Sequence, residues 1–198
     1  MTNAKKILQM AYNNNGYLMT KQVKNAGINT MELTRLVKQN KLERISRGYY
    51  ALVNIFCDDY YKYQLKSKNC VFSHTTALYL YDLSDRTPLY FDMTVPVGYN
   101  GSLRQDKNVV LHYVKREFLD LGLTTIESPF GMKIRVYDME RTICDIIKAR
   151  NHMDKEIFSK ALWQYSKMKN KDLLKLMKYA KKLNIEKKVT EYMEVLLW

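Results

Sequence analysis

The chain has 198 residues, 46% of them hydrophobic, enough to bury one real core or two and too many for a disordered segment. Its 33 Lys and Arg against 20 Asp and Glu leave a net charge of +13, which points to an anionic partner and says nothing about fold. Three widely spaced cysteines, Cys57, Cys70 and Cys144, form no C-x-x-C pair, so neither a disulfide framework nor a zinc site is expected, and their thiols suit a reducing compartment. The first twelve residues are polar and periodic, and no run approaches the roughly 18 apolar residues of a membrane span, so a cytoplasmic protein without membrane attachment is expected.

Thr2 or Asn3 caps a first helix with Ile7, Leu8 and Ala11 on one face, and Asn13 to Gly16 ends it with residues that tolerate left-handed backbone. Thr20 is the expected N-cap of a short second helix over Lys21 to Ala26, closed by Gly27 where a helix-turn-helix needs positive φ. Asn29 or Thr30 caps a third helix in which Leu33, Leu36 and Val37 recur at helical spacing among Arg35, Lys38 and Gln39. From Lys41 the period changes to two, with Leu42, Arg44 and Ser46 on one side of a strand and Glu43, Ile45 and Arg47 on the other, turning at Gly48 into Tyr49 to Leu52. A basic helix followed at once by a cationic hairpin is the pattern of a winged helix-turn-helix.

Nine cations against Glu32 and Glu43 in residues 1 to 56 concentrate positive charge there. In that geometry the third helix enters the major groove of double-stranded DNA. Base readout then falls to Thr34, Arg35, Lys38 and Gln39, wing and first-helix lysines grip phosphates, and Lys21, Lys24, Lys41, Arg44, Ser46 and Arg47 complete the set of DNA-binding candidates. A solvated helix face or a protein-docking unit is the competing reading of the same residues.

Asp58 to Lys68 reads as a linking helix with acidic residues in its first turn. Cys70 to Phe72 leads into Ser73, a cap for a helix carrying Ala77, Leu78, Leu80 and Tyr81. Strands are expected at Tyr90 to Val95 and Val109 to Val114, and a hairpin pairs Thr124 to Ser128 with Met132 to Val136 around Pro129-Phe130-Gly131. Asp138 caps a helix over Met139 to Lys148, and three more helical segments follow, broken near His152, Asn170 and Asn184. Leu162, Trp163, Leu173, Leu174, Leu176 and Met177 are the expected packing residues of this region.

Eleven lysines against three acidic residues from Lys155 to Lys188 make solvated helix faces or a second nucleic-acid surface, with Lys148, Lys155, Lys160, Lys167 and Lys169 as its candidates. The class is therefore α+β: a winged helix-turn-helix over 1–56, a linking helix over 57–69, and a mixed α/β domain over 70–198 that ends in several helices.

The stretches Ser73-His74-Thr75-Thr76-Ala77-Leu78-Tyr79-Leu80, Asp82 to Pro88, Thr94-Val95-Pro96 and Glu140-Arg141-Thr142-Ile143-Cys144-Asp145 resemble the C-terminal domain of the AbiEi family of bacterial antitoxins. A winged helix-turn-helix precedes that domain in the family. Tyr81 departs from the pattern, since His is expected to be frequent there, so no chemistry is assigned to it. The resemblance implies an antitoxin of a type IV toxin-antitoxin system for abortive phage infection, which represses its own operon by binding inverted repeats. It also implies a nucleotidyltransferase-like toxin as functional partner, opposed without a stable complex. A monomer in solution that binds DNA in more than one copy is expected, because a lone winged helix covers a half-site and no sustained heptad seam is present.

No catalytic residue, metal site or cofactor is expected. His74, His112 and His152 stand in no H-x-x-x-H or H-E-x-x-H pattern, and no phosphate-cradling or nucleophile-elbow motif occurs. Asp92, Glu127 and Lys133 on strand ends would be the candidates for a metal-dependent nucleic-acid-processing enzyme with an N-terminal targeting domain. Direct binding and neutralisation of the toxin is the other alternative. Arg141 and Asp145, four apart on one helix, are expected to form an ion pair.

Overall fold

The computed structural model describes residues 1–53 and 58–197, so Cys57 and the expected boundary at 56–57 lie outside the described residues. Two units divide at Lys68 and Asn69. In the first, the Thr2 hydroxyl accepts from the Lys5 N–H and starts α1 (Asn3–Tyr12), which buries Ile7 and Ala11. A turn leads to β1 (Tyr17–Met19), and α2 (Thr20–Asn25) follows directly. Thr20 is not the cap. Met19 takes that position because the Gln22 side chain accepts its N–H, and the Thr20 N–H donates to the Gly48 carbonyl.

Gly27 holds φ +70° with open space around it, so conformation and not crowding selects glycine there. Asn29 Oδ1 accepts from Met31 N–H at the start of α3 (Met31–Lys38), and the Thr30 hydroxyl makes no capping bond. The wing is β2 (Leu42–Ser46) and β3 (Tyr49–Leu52), antiparallel, with β1 on the other side of β3. Ile7, Ala11, Leu18, Val23, Ile28, Leu33, Leu36, Leu42 and Tyr50 form one core.

Helix α4 (Asp59–Lys66), capped by Asp58, folds within this unit. Tyr17 donates its hydroxyl to the Asp58 carbonyl at 2.9 Å and packs edge-on to Tyr61, while Ser46 donates to the Leu65 carbonyl at 2.8 Å.

In the second unit, β4 (Val71–Phe72), α5 (His74–Leu80), β5 (Phe91–Pro96), β6 (Val109–Val114), β7 (Leu123–Glu127) and β8 (Lys133–Tyr137) build a five-stranded mixed sheet of order β6-β5-β4-β8-β7. β5 runs parallel to β6 and β4 parallel to β8, while β4 and β5, and β7 and β8, are antiparallel. Four helices follow: α6 (Met139–Lys148), α7 (Lys155–Lys167), α8 (Leu173–Lys182) and α9 (Glu186–Leu197). They join α5 in a core that includes Leu78, Ile143, Ile147, Phe158, Leu162, Leu176 and Val189. Trp163 and Leu174, expected to pack, are exposed instead. Trp163 sits one residue, about 100° of helical turn, from buried Leu162, and Leu174 sits two residues, about 200°, from buried Leu176.

Arg141 is wholly buried and ties the sheet to this bundle. Its Nε reaches Asp145 Oδ1 at 3.0 Å, its Nη1 donates to the Phe118 and Leu121 carbonyls at 2.9 Å each, and its guanidinium lies 4.3 Å from the centre of the Tyr137 ring. Gly122, at φ +75°, lets the chain pass, since a Cβ there would meet Arg141 Cβ at 2.5 Å. Burial pushes the Asp145 carboxyl up from its ordinary value while Arg141 opposes the shift. A buried carboxylate that loses its partner is uncompensated, so Arg141→Met is expected to cost about 3–5 kcal/mol. Both tryptophans of the sequence lie beyond residue 69, so chemical denaturation followed by their fluorescence reads this unit.

Candidate nucleic-acid interface

Leu33 and Leu36 point α3 into the core, which leaves Thr34, Arg35 and Lys38 in solvent. Gln39 is the exposed C-cap, followed by exposed Lys41. Arg35 pairs with Glu32 one turn back at 3.4 Å but remains 65% exposed, so this surface contact leaves its guanidinium accessible. Lys21 and Lys24 are exposed on α2, and Arg44 and Arg47 on the hairpin.

The expected alternation of the wing holds only in part. A register shift between Arg44 and Ser46 places Ser46 opposite Tyr49, so the two sides of the strand exchange within it. Ser46 is half-buried, and its hydroxyl proton is held by the Leu65 carbonyl.

Glu43 is the single acidic residue between Lys41 and Leu52, and Lys62 of α4 pairs with it. Sequence reasoning did not find this neutralisation of the wing, because the partners are far apart in sequence and join only when α4 folds onto β2.

The lysines proposed as a second surface are differently placed. Lys148, Lys155 and Lys169 are exposed, Lys160 contacts Asp85 at 2.6 Å, and Lys167 sits 3.5 Å above the Trp163 ring.

Two histidines that are isolated in sequence come together on the sheet of the second unit. The His74 and His112 rings stack at 3.5 Å with 13° between planes, and His112 Nε2 lies 2.6 Å from Asp92 Oδ1. The Thr75 hydroxyl donates to the other carboxylate oxygen, and the Asp92 N–H donates to Thr76 Oγ1 at 2.8 Å. Ser73 occupies the N-cap position of α5 without capping it; its oxygen lies 3.0 Å from His74 Nδ1 and accepts from Thr94 at 2.9 Å.

The sheet order separates Asp92 on β5 from Glu127 and Lys133 on β7 and β8, so the trio does not assemble. His152 is exposed in a short 3-10 turn. Among the described residues, no group of three His, Cys, Asp or Glu side chains converges to hold a metal. Nor is any helix there long and apolar enough to cross a membrane.

Residues 5–53 match the AbiEi antitoxin family of transcriptional regulators. The AbiEi match spans α1 to the end of the wing, the segment that presents the cations described above. It agrees with the family that Ser73 to Pro96 and the α6 stretch resemble. No curated protein matches the chain. A crystal structure of the Rv2827c protein from Mycobacterium tuberculosis has a similar fold, with a TM-score of 0.68, 11% identity, and coverage of 100% of this chain and 76% of that one.

His74 sits at φ +47° and is buried, and burial drives its pKa well below 6.5, with the charges of His112, Arg141 and Lys148 adding to the effect. The folded chain keeps this imidazole neutral while the unfolded chain protonates it, so its stabilising contribution is present above pH 6.5 and is lost as pH falls below that value. Stability of the second unit is expected to decline there by up to about 1.4 kcal/mol per pH unit for this one proton. His74→Asn keeps a residue that tolerates positive φ and removes that part of the slope, read by denaturant titration at several pH values.

Proposed function

We propose that this protein is an antitoxin that represses its own operon, binding inverted repeats in double-stranded DNA through α3 and the wing. The observation that carries the reading is the exposure of cations on α2, α3 and the hairpin of a unit that matches antitoxin transcriptional regulators. In this account Arg35, Lys38, Thr34 and Gln39 meet base edges, and Lys21, Lys24, Lys41, Arg44 and Arg47 meet phosphates. Pairing of Glu43 with Lys62 supports it, because an unpaired carboxylate on the wing would repel the backbone.

Lys148, Lys155 and Lys169 offer a second cationic surface on the other unit, with Lys160 and Lys167 partly engaged by Asp85 and Trp163. The chain is a monomer in dilute solution and binds DNA in more than one copy. Its second unit opposes a nucleotidyltransferase-like toxin in the type IV manner, without a stable complex.

Fluorescence anisotropy on the DNA upstream of the gene tests the division of labour. Arg35→Ala is expected to relax sequence preference by about 1–3 kcal/mol at one base position. Arg44→Ala and Arg47→Ala are each expected to weaken binding to every sequence and to lower the slope of log affinity against log salt by about 0.9. Equal loss on all sequences from Arg35→Ala, or an unchanged salt slope in both wing variants, contradicts the assignment.

A further inference from the structure

Strand β6 ends the five-stranded sheet, with β5 on one side and no strand beyond it among the described residues. Its six residues, Val109 to Val114, carry no formal charge other than that available to His112, and none is buried. Two backbone bonds fix which groups turn outward. The Phe91 N–H donates to the Asn108 carbonyl and the Val97 N–H to the Val114 carbonyl. In a parallel ladder alternate residues face the same neighbour, so 108, 110, 112 and 114 serve β5. Leu111 and Tyr113 therefore turn both N–H and carbonyl to the open edge.

Natural edge strands are commonly blunted by lysine, proline or a bulge, and β6 has none of these within its span. Exposed apolar residues lie on it, between Lys107 and Lys115, and beside it. Val110 and Tyr113 are 42% and 50% exposed, and Leu89 and Val97, at the two ends of the β5 segment, are 89% and 67% exposed. The opposite edge, β7, reads Leu-Thr-Thr-Ile-Glu and shows no such cluster.

We propose that β6 pairs antiparallel with β6 of a second copy of this chain, about a two-fold axis at His112. The register follows from the outward groups. This axis sets Leu111 of each copy opposite Tyr113 of the other, so that both residues exchange N–H and carbonyl in four backbone bonds.

The same axis sets Val110 against Val114, apolar against apolar. Beyond the strand, Lys107 falls at the end where the second copy carries Glu117, so no like-charged pair stands directly opposed. A two-fold axis one residue earlier, at Leu111, would instead set Lys107 against Lys115. A single strand pair of this length buries less than a standard protein interface, so the association is weak and concentration-dependent. It deepens the reading that more than one copy assembles on DNA, yet it requires no DNA to be observed.

Sedimentation of the full chain without DNA, from micromolar to near-millimolar concentration, tests the pairing. The wild-type mass is expected to rise toward that of two chains, with amide exchange slowing at Leu111 and Tyr113 over the same range. Leu111→Pro removes one outward N–H and no bond to β5, and Tyr113→Lys opposes a charge to Leu111 of the other copy. Both are expected to stay at the mass of one chain. Should Leu111→Pro lose its folded circular dichroism, Tyr113→Lys carries the test alone. A wild-type chain that keeps a single-copy mass throughout overturns the proposal and leaves the edge to a strand of a different protein. Undiminished association in Tyr113→Lys overturns it as well.

Discussion

The burial of Leu33 and Leu36 against Ile7, Leu18 and Val23 is the constraint on which the candidate interface depends. A helix of eight residues has little stability of its own, so its orientation is set by the face it buries. Once those leucines are in the core, Thr34, Arg35 and Lys38 have nowhere to go but solvent. The wing is fixed in turn by Leu42 and Tyr50, which enter the same core, and by α4, which holds Ser46 and neutralises Glu43. Charge presentation in this unit is thus a consequence of apolar packing, with electrostatics acting on what packing leaves outside.

The second unit solves a different problem, which is to hold charged and polar groups in its interior. Arg141 is shared among Asp145, two carbonyls and the Tyr137 ring, and Gly122 is the residue that permits the close approach. The Ser73, His74, Asp92, Thr94 and His112 group does the same on the sheet, with Asp92 engaged by Thr75, Thr76 and His112. Networks of this kind tie particular strands and helices together.

Much of the fold was legible because it is written locally. Period-3.6 patterns, the Asp138 cap, Gly27 and the Pro129-Phe130-Gly131 turn are signals carried by neighbouring residues, and the helices and strands fall close to where those signals put them. The Arg141–Asp145 pair was legible for the same reason, being four residues apart on one helix. Thr20 is not the cap, because Gln22 accepts the Met19 N–H instead, and the Thr20 N–H goes to Gly48, far along the chain. The bulge at Ser46, the Glu43–Lys62 pair and the His74–His112 stack were invisible for that reason too, since each depends on which strands lie side by side. Trp163 and Leu174 look like core residues in composition, but helical phase places them outside.

The central claim is that α3 and the wing read a specific DNA site. A titration of the full chain with its own upstream DNA and with a scrambled duplex of equal length and composition, at one fixed salt concentration, tests it most directly. The account predicts markedly tighter binding to the upstream sequence, by about three powers of ten or more. Equal affinity for the two duplexes would contradict it and reduce the cationic surface to a non-specific one.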